Sequence, residues 1–138
     1  MPTHSGYIRL ATEGDGDVCP LSERVSEIVR DAAVERGVAT VFVPGATAAI
    51  TTMEYEPGGV HDLKAALDRL VPQQGDYEHN RLNYDTNSHA HIRAAIVGPS
   101  ESIPIDAGRL LLGTWQEIVL IDFDDRPRER TVLVSVHF

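Results

Sequence analysis

A single cysteine, Cys19, stands in a chain of 138 residues. That excludes a disulfide within the chain and any thiolate cluster for a metal, and makes a reducing cytoplasm the simplest expected setting. Flanked by Val18 and Pro20 in what reads as a strand end, Cys19 is a small buried hydrophobe rather than a nucleophile. No apolar run reaches the length of a membrane span, and MPTHSGYIRL at the N-terminus lacks the basic and apolar regions of a signal peptide, so neither membrane nor export is expected. Basic residues are scarce as well: 12 Lys and Arg against 21 Asp and Glu leave a formal net charge of −9, the wrong sign for a nucleic-acid backbone as partner. Without repeats, low-complexity tracts or linkers, the length predicts one domain spanning residues 1–138.

What is present alternates between two periodicities. Tyr7–Ala11 reads as a strand, followed by the turn EGDGD at Glu13–Asp17 and a hairpin partner around Asp17–Pro20. Ser22 is placed to cap an amphipathic helix carrying Val25, Ile28, Val29, Ala32 and Ala33, with Gly37 as its stop. Val38–Val43 is nearly all apolar and β-branched, which predicts a strand buried on both faces. Ala48–Tyr55 follows as another strand, with Glu54 near its end as either a functional carboxylate or a solvent-facing or cross-strand acid. Pro57-Gly58-Gly59 leads into a second helix along Val60, Leu63, Ala66, Leu67, Leu70 and Val71, whose His61 caps or meets solvent. Over the last forty residues, Glu101–Ile105, Arg109–Leu112, Trp115–Phe123 and Thr131–Val136 read as antiparallel strands, with DDRPRER an exposed connection whose arginines form a solvated or intersubunit surface. The expected fold is therefore α+β, a mostly antiparallel sheet with helices packed on one face.

The segment from Asp76 to Gly98 concentrates the chemistry. His79, His89 and His91 lie there with Asp76, Glu78 and Asp85, imidazole and carboxylate groups of the kind that hold zinc or another borderline metal. Residues two apart lie about 200° apart around a regular helix. His89 and His91 would therefore converge only if they occupy the irregular cap and first turn of a helix starting at Asn87 or Ser88 and ending at Gly98. Such a helix start keeps imidazoles neutral, and Asp85 would orient a ligating ring. The alternative is a polar loop whose histidines cap a helix and touch solvent, the commoner outcome for this spacing alone.

Taken together, GDYEHNRLNYDTNSHAHIRAAIVGPS at Gly75–Ser100, IPI at Ile103–Ile105, GRLLLGTWQEIVLIDFD at Gly108–Asp124 and RPRER at Arg126–Arg130 resemble the YjbQ-like family, also called the secondary thiamine-phosphate synthase family. The resemblance covers Tyr7 to Val136. It implies a compact α+β fold, a homotrimer with a histidine site near a subunit boundary, and a weak ability in some members to make thiamine phosphate. By matching position, it implies His79 and His91 as site residues and His89 as a third ligand for a divalent metal, zinc first and magnesium with a pyrophosphate substrate. It makes Glu54 and Asp85 the acid/base or metal-supporting carboxylates. Ser100, Arg109 and Thr114 are the candidate contacts for a small phosphorylated molecule, and Trp115, in the signature turn Thr114–Gln116, is read as a buried residue with a partnered indole. One departure matters. Typical members carry His-Thr-[Ser or Thr]-Ala and Asn-Glu where this chain has Gly45-Ala46-Thr47-Ala48 and Met53-Glu54, so one wall of the implied site lacks a histidine and an asparagine. That weighs against the thiamine-phosphate activity and leaves the fold and the other histidines untouched.

Overall fold

The apolar residues of β7 (Glu117–Asp122) alternate between two cores, and the remaining elements are arranged around that strand. In the computed structural model, which describes residues 2–138, Ile118 and Leu120 point into one core while Val119 and Ile121, with Phe123 just beyond the strand, point into the other. β7 sits between β2 (Asp17–Pro20) and β4 (Ala48–Met53) in a three-stranded sheet. A five-stranded sheet carries β1 (Thr3–Thr12), β8 (Arg128–His137), β3 (Gly37–Phe42), β5 (Ser100–Asp106) and β6 (Arg109–Leu110), in that spatial order. Every pairing is antiparallel.

The larger core lies between the sheets. There Ile8, Ala39, Val41, Ile103, Val132, Val134 and Val136 meet Ile50, Ile118 and Leu120, joined by Leu21 and by Val25 and Val29 of α1 (Ser22–Ala32). The smaller core lies on the other face of the three-stranded sheet, under Leu67 of α2 (Pro57–Leu70) and Ala90 and Ala94 of α4 (Ser88–Val97). A short α3 (Glu78–Asn83) precedes α4. The expected α+β architecture with antiparallel pairing is thus what the chain forms.

Several local expectations are corrected. β3 is buried on one face only: Ala39 and Val41 are inside, whereas Val38 and Phe42 are each 38% exposed. They lie on the outer face of the five-stranded sheet, which nothing among the described residues covers. The strand buried on both faces along nearly its whole length is β7, with the larger core in front and the smaller core, under α2 and α4, behind; the first half of β4, from Ala48 to Ile50, shares that position. β2 pairs with β7 and not with β1. The Glu13–Asp17 turn therefore carries the chain from one sheet to the other, with Asp15 and Gly16 donating their amides to the Asp124 and Asp122 carbonyls. Ser22 does not cap α1; its hydroxyl accepts from the Ile118 amide, while Glu117 accepts from the Ser22 amide, tying the helix start to β7. The helix stops at Ala33, in the left-handed conformation, several residues before Gly37. At α2, Pro57 stands at the first helical position, and the Glu56 carboxylate accepts from the Gly58 and Gly59 amides.

Candidate functional site

Two short helices with poor helical prospects of their own build the site by exchanging side chains. α3 is six residues long, below the length at which a helix is stable in isolation. Asn87, at the N-cap of α4, makes no side-chain cap bond to its own helix. Its Oδ1 instead lies 3.1 Å from His79 Nε2 on α3. The first amide of α4, that of Ser88, is satisfied from outside by Oδ1 of Asn80, at 3.1 Å. Asn80 therefore does the work sequence reading gave to Asn87 or Ser88. Asn80→Ala is expected to cost about 1 kcal/mol, the usual loss for a cap, measured as a shift in urea midpoint at unchanged slope.

The same exchange decides the histidines. His79 and His91 meet edge to face, with ring centroids 4.7 Å apart and planes at 65°. His91 Nδ1 lies 3.0 Å from the Ala46 carbonyl oxygen. A carbonyl only accepts, so Nδ1 carries a proton, and in the neutral ring the lone pair is therefore on Nε2. Asp85 Oδ1 is held by the Thr86 amide, and its Oδ2 stands 3.8 Å from His79 Nε2. Asn83 Nδ2 approaches the other side of the His79 ring, at 3.5 Å from Nδ1. Asp76 and Glu78 are occupied with Arg81.

His89 goes the other way. It is 2% exposed, and its Nδ1 is the one side-chain nitrogen or oxygen, among the described residues, that is both buried and without a hydrogen-bond partner. Burial, followed by the nearby Arg93 guanidinium, pulls its pKa below the ordinary imidazole value, against Asp125, Asp15 and a bond to the Thr86 backbone. Both residues lie inside regular α4, so the helical rotation separates the two rings. Within one chain, no group of three His, Cys, Asp or Glu side chains has metal-holding geometry among the described residues.

The other candidates fall in separate places. Glu54 and Thr114 line one cleft with Tyr55, Glu56, Trp115, Gln116 and Glu117. Glu54 lies just past the far end of β4, whose six residues from Ala48 to Met53 span roughly 17 Å at the strand rise, and so away from the Ala46 turn. Ser100 opens β5 opposite Phe42, and Arg109 lines a hollow beside α1 with Ser26 and Arg30. Trp115 is not buried: it is 74% exposed, on a turn pinned by its neighbour. Gln116 accepts from the Gly113 amide at 3.0 Å and donates to Thr52 Oγ1 at 3.0 Å. Cys19 is half-buried, and burial together with Asp17 pushes its thiol up to about 11, so it is no thiolate nucleophile.

Sequence reading missed one cluster behind the site. Arg130, which the sequence assigns to a solvated or intersubunit surface, is 6% exposed and makes a two-pronged pair with Asp122 at 2.7 and 2.9 Å. Its Nη2 also donates to Thr47 Oγ1 at 2.8 Å, Thr12 donates to Asp122 at 2.6 Å, and Thr47 donates to Asp124 at 3.0 Å. Burial raises the Asp122 pKa, but the bonds from Arg130, Thr12 and the Asp124 amide outweigh it and hold the carboxyl below its usual value. Gly45, at φ 124°, leaves room for this guanidinium, since a Cβ there would stand 2.9 Å from Nη1. Arg130 and His91 thus brace the same turn, Gly45–Thr47, from two sides. The signal was Asp122 and Asp124 at the end of a buried apolar strand, where unpaired carboxylates do not persist.

An antiparallel α+β fold with a face-to-edge imidazole pair on two interlocked helices defines the class of molecule. The chain belongs to the UPF0047 protein YjbQ-like family, whose model matches residues 6–137. A UPF0047 protein of Archaeoglobus fulgidus is 34% identical over 128 residues, covering 93% of this chain and 97% of that one. A UPF0047 protein of Synechocystis is 36% identical over 135 residues, covering 96% and 90%. Among solved structures, a YbjQ-like protein of unknown function from Sulfolobus solfataricus superposes with a TM-score of 0.93 at 28% identity, covering 98% of this chain and 96% of that one. An uncharacterized conserved protein of the yjbq/upf0047 family from Clostridium acetobutylicum gives 0.88 at 38% identity, covering 96% and 99%. Among the described residues, no helix is long and apolar enough to cross a membrane.

Proposed function

We propose that His79, His91 and Asp85 form the centre of a metal-assisted site acting on a small phosphorylated molecule, in a cytoplasmic homotrimer similar to the secondary thiamine-phosphate synthases. The observation that carries this reading is the bond from His91 Nδ1 to the Ala46 carbonyl. A carbonyl behind one ring nitrogen fixes the tautomer and aims the other nitrogen, the arrangement usual behind metal-ligating histidines. His91 Nε2 and His79 would hold a divalent ion, zinc by ligand type, with Asp85 in support. Such an ion, when bound, stabilises the charge that develops on a leaving pyrophosphate. His79 donates from Nε2 to Asn87, which leaves its lone pair on Nδ1 beside Asn83 Nδ2, so it would have to release one of the two asparagines to bind an ion. His89 does not turn toward the pair within its own chain, so further donors would come from the substrate, water or a neighbouring copy. Asp85 is the carboxylate in reach for acid/base work, since Glu54 of the same chain lies beyond the far end of β4.

Zinc titration of the purified protein tests this directly. His91→Ala and His79→Ala are each expected to weaken zinc binding by about 100-fold or more, since removing only an outer partner of a ligand costs 10- to 100-fold. Light scattering should give three times the chain mass. Unchanged zinc affinity in both variants would remove the site. Metal bound tightly with no turnover of thiamine precursors would instead favour the second reading, a metal- or ligand-binding protein without significant catalysis. The Gly45–Ala46–Thr47–Ala48 segment, which replaces the family's usual histidine-bearing stretch, favours that second reading.

A further inference from the structure

The signature turn Thr114–Gln116 has no part in the imidazole pair, yet it holds the chain's single tryptophan out of the core. Gln116 bonds the turn both to itself and to β4, so the indole is presented from a fixed backbone. It walls a cleft of about 380 Å³ with Glu54 and Tyr55, a volume in the range of small-molecule sites. Trp115 and Tyr55 do not pair with each other among the described residues, the one close aromatic pair being His79 with His91. Three carboxylates line the same cleft: Glu54, Glu56 and Glu117. Glu56 caps α2 and Glu117 accepts from Ser22, but none of the three is in an ion pair among the described residues, and Glu54 makes no side-chain hydrogen bond. The lining contains no Lys or Arg.

We infer that this cleft binds a small organic cation, an alkylated ammonium whose charge sits against the Trp115 face and beside Glu54. Aromatic faces attract cations through the ring quadrupole, and quaternary ammonium groups are the usual beneficiaries because they are weakly hydrated. An uncompensated set of carboxylates selects the sign, and the rings select an organic over an inorganic ion. An apolar surface of a second copy is the wrong complement, since closing over the cleft would leave Glu54 buried and unpaired. The cleft holds Glu54 and Thr114, which the family resemblance also gives to the histidine site, but it shares no residue with the imidazole pair of the same chain, and its test does not use a metal.

Trp115 is the only indole, so its fluorescence reads the cleft without a label. Titration with choline should quench or shift it saturably, and 3,3-dimethylbutanol, a neutral molecule of the same shape, should bind about tenfold more weakly or worse. By calorimetry, Trp115→Ala and Glu54→Gln should each weaken choline binding about tenfold, while Glu27→Gln, on the exposed side of α1, should leave it unchanged. All three positions are exposed, and circular dichroism checks that each variant keeps its fold. The inference is overturned by absence of a saturable response to choline, by equal binding of the neutral molecule, or by equal weakening in Glu27→Gln. It is overturned too if Trp115 emits as a shielded indole that turns solvent-like only on dilution to the monomer, because a second copy would then fill the cleft.

Discussion

Arg130→Ala is expected to lower the unfolding free energy by about 3–5 kcal/mol, the cost of removing one partner from a buried ion pair. The reason is less the lost attraction than what remains. Asp122 is fully buried and would keep Thr12 and the Asp124 amide but lose both guanidinium contacts. Its carboxyl would then protonate at a much higher pH, and Thr47 would lose its donor. Urea denaturation at pH 7 measures the loss, and part of it should return at pH 4, where a neutral Asp122 no longer demands a counter-charge. Arg130→Met with Asp122→Leu should recover most of the stability, because apolar replacement of a whole buried pair is often neutral or better. If Arg130→Ala unfolds at the same urea concentration as the parent, the buried pair has no such role.

His89→Leu is expected to stabilise the protein under mildly acid conditions. A buried nitrogen without a partner costs about 1–3 kcal/mol, and leucine removes it while keeping most of the volume. The pH dependence gives the sharper reading. The folded-state pKa of His89 lies below its ordinary value of 6.5, so the unfolded chain takes up the proton first. Stability is then complete above pH 6.5 and declines as the pH falls through that value toward the folded pKa. The Asp122 carboxyl is also depressed, from 3.8, so its contribution is lost only in stronger acid. A thermal-melt series from pH 7 to 4.5 should thus show a decline in the parent that His89→Leu flattens. Parallel curves for the two proteins would mean that His89 does not titrate in this window.

The sequence made the helices and the chemically rich segment readable because both rest on local signals. The apolar spacing of Val25, Val29 and Leu67 placed α1 and α2 against the sheet, and the clustering of His79, Asp85 and His91 marked a segment whose side chains do come together. The separation of His89 from His91 was also latent in their spacing, since the helical rotation acts wherever the backbone is regular, and α4 is regular from Ser88 onward. What escaped depends on contacts across long stretches of chain. Nothing near Cys19 says that β2 will pair with Leu120 of β7 and not with β1. Arg130 sits in a string of charges that reads as surface, and only the fold brings it to Asp122. Trp115 misled for the opposite reason: large aromatics are usually inside, and its exposure becomes clear only when Gln116 is seen fastening the turn to Thr52.

The crossed side chains of Asn80 and Asn87 also set how the imidazole pair would come apart. Each asparagine grips the helix it does not belong to, so α3 cannot loosen without freeing the first turn of α4, and the reverse holds as well. The pair should accordingly vanish as one cooperative event, with the amides of Arg81 and His91 exchanging their hydrogens at a common rate.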